Sequence, residues 1–210
     1  MAATSRTPSF TAPEAQPPMG LRERKKLRTR VAIRQATYRL IQEQGYEATT
    51  IEQIAEAAEV SPSTVFRYFA TKEDIVLTDE YDPLMVAVLR SRPLDEPPLE
   101  SLRLTMREAL MSFATAEDDE LRRRTRLMVE VPAVRARMTE TMSDTAKLLS
   151  QVLADRTGRS ADDLRIRVFI AAVLGALREV TLYWGEHGQE GDLITMVDEA
   201  LDTLEGGLRL

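Results

Sequence analysis

Ser61-Pro62-Ser63-Thr64-Val65-Phe66-Arg67-Tyr68-Phe69 places a helix start, an inward pair and an outward polar face within nine residues. Ser61 is an N-cap type able to accept from a first-turn N–H. Pro62 follows at the first helical position, where its missing donor costs nothing. Val65 and Phe69 stand one turn apart and point to a core, while Ser63 and Arg67 fall opposite, flanked by Thr64 and Phe66. Just upstream, Ile51, Ile54, Ala55 and Ala58 give a second short helix its buried stripe. Thr50 caps that helix, and Gln53 three residues on completes a capping box. Two short helices joined by a tight turn make a helix-turn-helix geometry, which can present its second helix to the major groove of DNA.

Further out, Ile33, Ala36, Leu40 and Ile41 form a helical stripe, with Arg28, Gln35, Arg39 and Gln42 opposite. Gly45 closes that helix as a residue able to take a positive φ. The leading turns hold Arg22, Arg24, Lys25, Lys26, Arg28 and Arg30, with Glu23 the one acidic interruption. Net charge over the 210 residues is −6, yet residues 1–75 carry eleven basic and nine acidic side chains. The acidic excess therefore lies beyond them, and basic charge gathers where phosphate contact would need it. Alone, the basic cluster equally fits a solvated helix face. Residues 1–20, with four prolines among Ser, Thr, Ala and Gly, are expected to form a disordered arm.

Composition removes several function classes. There is no cysteine, which excludes disulfides, thiolate catalysis and cysteine zinc sites. A single histidine, His187, cannot build a histidine metal site, and no cofactor is expected. No apolar run approaches the roughly 18 residues of a membrane span, and no secretory apolar core leads the chain. A cytoplasmic protein without membrane partners is the expectation. With no Gly-rich phosphate loop either, an enzyme is the weakest class, and the chain is expected not to be one.

Gly45-Tyr46, Thr49-Thr50, Ile54-Ala55, Val60-Ser61, Thr64, Phe66, Tyr68-Phe69 and Lys72-Glu73 resemble the N-terminal signature of TetR-family transcriptional regulators. The match runs from near Arg28 to near Ile75. Ser-Pro-Ser-Thr-x-Phe-Arg-Tyr-Phe is similar to an actinobacterial subgroup that includes mycofactocin-type regulators, and 24 arginines against 4 lysines fit a high-GC genome. The resemblance implies DNA-facing positions at Thr50, Gln53, Pro62, Ser63, Thr64, Phe66, Arg67, Tyr68 and Lys72. The basic charge of the first helix, at Arg24, Lys25 and Arg28, would neutralise phosphates. Arg67 suits bidentate recognition of guanine, and Ser63 and Thr64 suit bases or phosphates. Tyr68 and Lys72 suit phosphate oxygens. The family often has Gly where Glu59 stands, so Glu59 implies a turn that does not require φ > 0. It often has Tyr where Phe66 stands, so a phosphate-bonding hydroxyl is missing there.

Beyond the motif, one helix is expected from about Lys72 to Arg90, bent near Pro83. After a connector at 92–98, helical patterns follow near 99–115, 118–130, 132–156, 160–187 and 191–205, with Ser160 as an N-cap. No alternating segment suits a strand, so the fold is all-α. Val168 to Leu177 is ten residues without a polar side chain, a helix apolar around its circumference that must be covered on all sides. A dimer interface suits it, with Phe169, Ala172, Leu174, Ala176 and Leu177 joined by Met196, Ala200 and Leu204 of the last helix. The resemblance likewise implies a homodimer through the last two long helices, reading a pseudo-palindromic operator.

Met85, Leu89, Met106, Leu110, Phe113, Met128, Met138, Met142 and Trp184 are candidate lining for an effector pocket, because methionine adapts to flexible apolar ligands. Gap-filling core is the competing reading. Arg122, Arg123, Arg124 and Arg126 suit an anionic ligand such as an acyl-CoA phosphate, or a solvated face. His187 reads as a surface residue at a helix end. The expected organisation is an arm at 1–20, a helix-turn-helix domain at 21–71 and a helical ligand-binding and dimerisation domain at 72–210. The function read from this is a ligand-responsive regulator of transcription, a homodimeric repressor released by a small, largely apolar effector. A helical dimeric adaptor, or an activator without a small-molecule ligand, is the alternative.

Overall fold

The computed structural model describes residues 20–78, 81–114 and 118–209, without the side chains of 81–84, 112–114, 118 and 119. The arm up to residue 19 and the side chain of Phe113 lie outside the described residues. Among the described residues ten helices follow one another: α1 Leu21–Gln44, α2 Ile51–Ala57, α3 Pro62–Tyr68, α4 Lys72–Leu77, α5 Tyr81–Ser91, α6 Pro98–Ala114, α7 Asp118–Glu130, α8 Pro132–Thr157, α9 Leu164–Glu186 and α10 Leu193–Glu205. Among the described residues there is no strand.

Two local expectations are corrected. The single helix over 72–90 is two helices, because Thr78 leaves α4 in an extended conformation and α5 starts at Tyr81. Pro83 falls in the first turn of α5, where no intrahelical N–H donor is required, so it need not bend the helix. The helix expected to start at Ser160 starts at Leu164, capped by Asp163, whose Oδ1 accepts from the Arg165 N–H at 2.8 Å. Ser160 instead accepts the Asp162 N–H at 3.3 Å within the preceding turn.

Three apolar clusters hold the helices together. Ile33, Ile54, Ala55, Val65, Phe69 and Ile75 seal α1, α2, α3 and α4 into one unit. Tyr38, Tyr46, Val76, Leu127, Met128, Val131, Val134, Met138 and Leu182 join α1 and α4 to α7, α8 and α9. Val86, Leu89, Leu102, Leu149, Val152, Leu153, Ile166, Ile170, Val173, Val197 and Leu201 form the core of the body. α4 thus contributes one side chain to the first cluster and the next, Val76, to the second.

Among the described residues, α7, α8 and α10 pack on α9 and leave one stripe of it uncovered. Ile166, Ile170 and Val173 are buried in the body core, but Leu164, Ala171, Ala172 and Gly175 are exposed, Val168 is 58 % exposed and Tyr183 52 %. Where α9 meets α7 the helices touch closely. A Cβ on Gly185 would stand 2.6 Å from Val129 Cγ2 and 2.9 Å from Thr125 Cγ2, both on stiff β-branched side chains.

The connector between α5 and α6 is held by Arg156 near the end of α8. Its guanidinium donates to the carbonyls of Leu89 (3.1 Å), Arg92 (2.7 Å) and Pro93 (2.7 Å), and to Ser101 Oγ (2.9 Å).

Candidate nucleic-acid interface

The helices α2 and α3 are built from local signals that the chain supplies in full. Thr50 Oγ1 accepts the Gln53 N–H at 3.3 Å and Gln53 Oε1 accepts the Thr50 N–H at 2.9 Å, completing the reciprocal cap of α2. Ser61 Oγ accepts the Thr64 N–H at 3.2 Å and starts α3 with Pro62 in its first turn. Ser61 Oγ also lies 2.9 Å from both Ser63 Oγ and Thr64 Oγ1, so three hydroxyls share the leading end of the helix.

The turn between α2 and α3 corrects the expectation for Glu59. Its φ is +56°. The Val60 N–H reaches back to the Ala55 carbonyl at 2.9 Å and the Glu59 N–H to Glu56 at 3.0 Å. That six-to-one closure of a helix end needs a left-handed residue whatever side chain stands there. Glu59 therefore holds a conformation that costs an ordinary L-residue about 1–2 kcal/mol. Glu59→Gly is expected to raise stability by about 0.5–1 kcal/mol, net of the extra freedom glycine gains in the unfolded chain. An upward shift of the urea midpoint with unchanged slope would be the supporting result, and an unchanged or lower midpoint the contrary one.

Val65 and Phe69 are buried, as their spacing predicts, and Arg30 sits over the Phe69 ring at 5.2 Å. Pro62, Ser63, Phe66 and Arg67 are exposed on the other side, while Thr64 and Tyr68 are half-buried. The Arg67 guanidinium lies 5.3 Å above the Tyr68 ring and 3.4 Å from Thr64 Oγ1. Arg24, Lys25 and Arg28 are exposed on the leading turns of α1. A groove of about 1040 Å³ runs between those turns and α3, lined by Arg22, Lys25, Lys26, Arg30, Thr64 and Arg67 among others. Thr50 and Gln53 are exposed at the start of α2, although the Gln53 amide oxygen is already shared with Gln44 Nε2 at 2.9 Å.

Lys72 is placed differently from the rest of the set. Its ammonium donates to the carbonyls of Tyr46 at 2.7 Å and Thr49 at 2.9 Å, and lies 3.9 Å above the Tyr46 ring. Next along α4, Glu73 accepts a short hydrogen bond from the Tyr46 hydroxyl. Burial and then that carboxylate push the Tyr46 phenol well above its ordinary value. Burial alone would raise the Glu73 carboxyl, but the bond from Tyr46 and the neighbouring Lys72 hold it below the usual range. Asp74, the third residue in the row, caps α4 through the Thr71 N–H at 3.1 Å. It also takes two bonds from Arg137 of α8, at 2.7 and 3.3 Å. Arg34 of α1 pairs with Glu120 of α7, and the Tyr38 hydroxyl donates to the Val76 carbonyl at 3.1 Å. These long-range partners carry no local sequence signal.

The candidate effector residues do not gather in one place. Leu89 belongs to the body core, and Met106 and Leu110 pack against that core. Met128 and Met138 belong to the cluster beneath α1 and α4. Met85 and Met142 are half-buried outside both groups. Trp184 is 3 % exposed, with its indole N–H unpartnered among the described residues and Arg122 5.3 Å over its ring. Arg122, Arg123 and Arg126 line a cleft of about 440 Å³ with Tyr38, Ile41 and Gln42 of α1. Of the candidate dimer residues, Ala172 is exposed. Ala176, Met196, Ala200 and Leu204 line a groove between α9 and α10. Phe169, Leu174 and Leu177 pack partly into their own body core. Leu164, Val168 and Tyr183 are exposed along the same helix.

Comparison with known proteins fits this architecture. Residues 33–78 match the model of bacterial regulatory proteins of the tetR family, and residues 96–209 match the MftR C-terminal domain. The chain is 37% identical over 173 residues to the HTH-type transcriptional regulator TcmR of Streptomyces glaucescens, covering 79% of this chain and 76% of that protein. Among solved structures it resembles the fatty acid degradation regulator FadR from Bacillus halodurans, with a TM-score of 0.56 at 26% identity, covering 85% of this chain and 99% of the other. It also resembles Thermus thermophilus FadR, a transcriptional repressor in complex with lauroyl-CoA. The TM-score there is 0.54 at 25% identity, covering 86% of this chain and 95% of the other. No described helix is long and apolar enough to cross a membrane. The chain belongs to the tetR family of bacterial regulatory proteins, as a helix-turn-helix regulator of transcription.

Proposed function

We propose that the chain is a homodimeric repressor whose α3 reads base edges in successive major grooves and which a small amphipathic effector releases. The observation that carries the DNA half is the division of α3: Val65 and the following Phe69 hold it to the core while Ser63, Phe66 and Arg67 are exposed on the opposite face. Residues 21–71 form the reading domain in this proposal, with 72–210 as the effector and dimerisation domain. Arg24, Lys25 and Arg28, exposed on the leading turns of α1, clamp phosphates beside the reading helix. The uncovered face of α9, where Ala171, Ala172 and Gly175 allow close approach, pairs with its copy about a two-fold axis. Arg24→Ala/Lys25→Ala should weaken specific and random DNA alike. The slope of log affinity against log salt should fall by about 0.9 for each phosphate that the variant no longer neutralises. An unaltered slope would remove the clamp.

The effector half draws on Thermus thermophilus FadR, which is complexed with lauroyl-CoA, and on the arginine cleft between α7 and α1. In this proposal an acyl chain enters between the body helices and the phosphates of coenzyme A meet Arg122, Arg123 and Arg126. Trp184 is the one tryptophan in the chain, so its fluorescence reports on that region. Lauroyl-CoA is expected to change the Trp184 emission and release bound operator at the same concentrations, with coenzyme A alone doing neither. Release without saturable change, or no response to either compound, would remove the acyl-CoA class. For release to occur the effector must bind the non-operator conformation more tightly than the operator-bound one.

A further inference from the structure

The reading face of α3 carries an exposed phenyl ring, for which hydrogen bonding has no use. Ser63, Phe66 and Arg67 recur at helical spacing along the exposed side. Phe66 leaves 56 % of its surface in water, whereas Phe69 of the same segment is sealed at 3 %. Among the described residues, cations sit over the rings of Phe69, Tyr68 and Tyr46, and none over Phe66. Arg67 beside it is engaged with Thr64 and Tyr68.

A phenyl ring held in this position can favour one DNA sequence over another only by removing apolar surface from water. Base edges in the major groove offer one apolar group for that purpose, the C5-methyl of thymine. Ser63 and Arg67 stand on either side of Phe66 on the exposed face of α3, so in the proposed complex the ring meets base edges along with them. We infer that Phe66 reads the methyl group of one thymine in each half-site, adding a preference for T·A that the hydrogen-bonding residues of α3 do not supply. The inference rests on the proposed DNA-reading role of α3.

The test uses the full-length protein and an operator recovered by selecting genomic fragments with it. Each thymine is replaced in turn by deoxyuridine, symmetrically in both half-sites. That deletes the methyl group and keeps every hydrogen-bonding atom of the base. One thymine position is expected to lose about fourfold in affinity per half-site, about 0.8 kcal/mol for one buried methyl at 1.4 kcal/mol per tenfold. The other thymines should change by less than about twofold. In Phe66→Ala the same replacement should have no effect. That variant is measured at low salt, where phosphate contacts keep even a weakened protein on DNA. The assignment is overturned if no position responds in the wild-type protein, or if the response survives in Phe66→Ala. Failure of the wild-type protein to retain any specific fragment would overturn the DNA-reading role itself, a result distinct from specific retention without methyl sensitivity.

Discussion

Arg67→Ala is expected to weaken binding to the selected operator by about 2–6 kcal/mol while leaving random DNA nearly unchanged. The range is a bidentate arginine–guanine contact of about 1–3 kcal/mol, counted once in each half-site of a two-fold complex. The structure gives the guanidinium two weak tethers, to Thr64 Oγ1 at 3.4 Å and to the Tyr68 ring at 5.3 Å. They limit its wandering without consuming its donors in a strong ion pair. A binding titration against operator and scrambled duplex checks the claim. A loss below about 1 kcal/mol, with unchanged base preference, would exclude direct readout by Arg67.

Lys72→Met should instead act through the fold. Two charge-assisted bonds to the Tyr46 and Thr49 carbonyls vanish together with the stacking on Tyr46. Bonds to charged groups contribute about 1.5–3 kcal/mol each, and the half-exposed site reduces the sum, so a stability loss of about 2–4 kcal/mol is expected. Chemical denaturation measures it. The salt dependence of DNA affinity should stay as in the wild type once the folded fraction is matched. Preserved stability with a shallower salt slope would make Lys72 a phosphate ligand, as its position in the family signature implied.

The two residues show which parts of the molecule were legible in the sequence. Arg67 was readable because its exposure follows from Val65 and Phe69 on the same short helix. The caps at Thr50 and Ser61 were readable for a similar reason, with donor and acceptor three residues apart. Lys72 meets partners 26 and 23 positions away, a distance over which residue type carries no direction. Glu59 misled because its positive φ is imposed by closure of the preceding helix, whatever the side chain. The break after Leu77 was hidden because Pro83 is as acceptable in the first turn of a new helix as at a bend in a long one. The methionines were read as one group, but Met128 and Met138 lie in a different cluster from Leu89 and Met106.

Three consecutive residues of α4 tie the head of the molecule to its body. Lys72 and Glu73 grip the loop between α1 and α2, and Asp74 grips Arg137 of α8. With only six residues, α4 has little length over which to absorb a displacement of α8. In the proposed repressor, a shift of α8 on effector binding is therefore passed to the helix-turn-helix unit with little loss.

The split of α3 bears on how such a protein diversifies. The side chains that anchor the helix and those that face outward are different residues, so the outward set can change without opening the core. Duplicated copies could acquire new targets through substitutions at 63, 66 and 67 alone, each intermediate remaining folded. A lineage carrying this scaffold can explore new binding preferences along a path that is nearly level in stability.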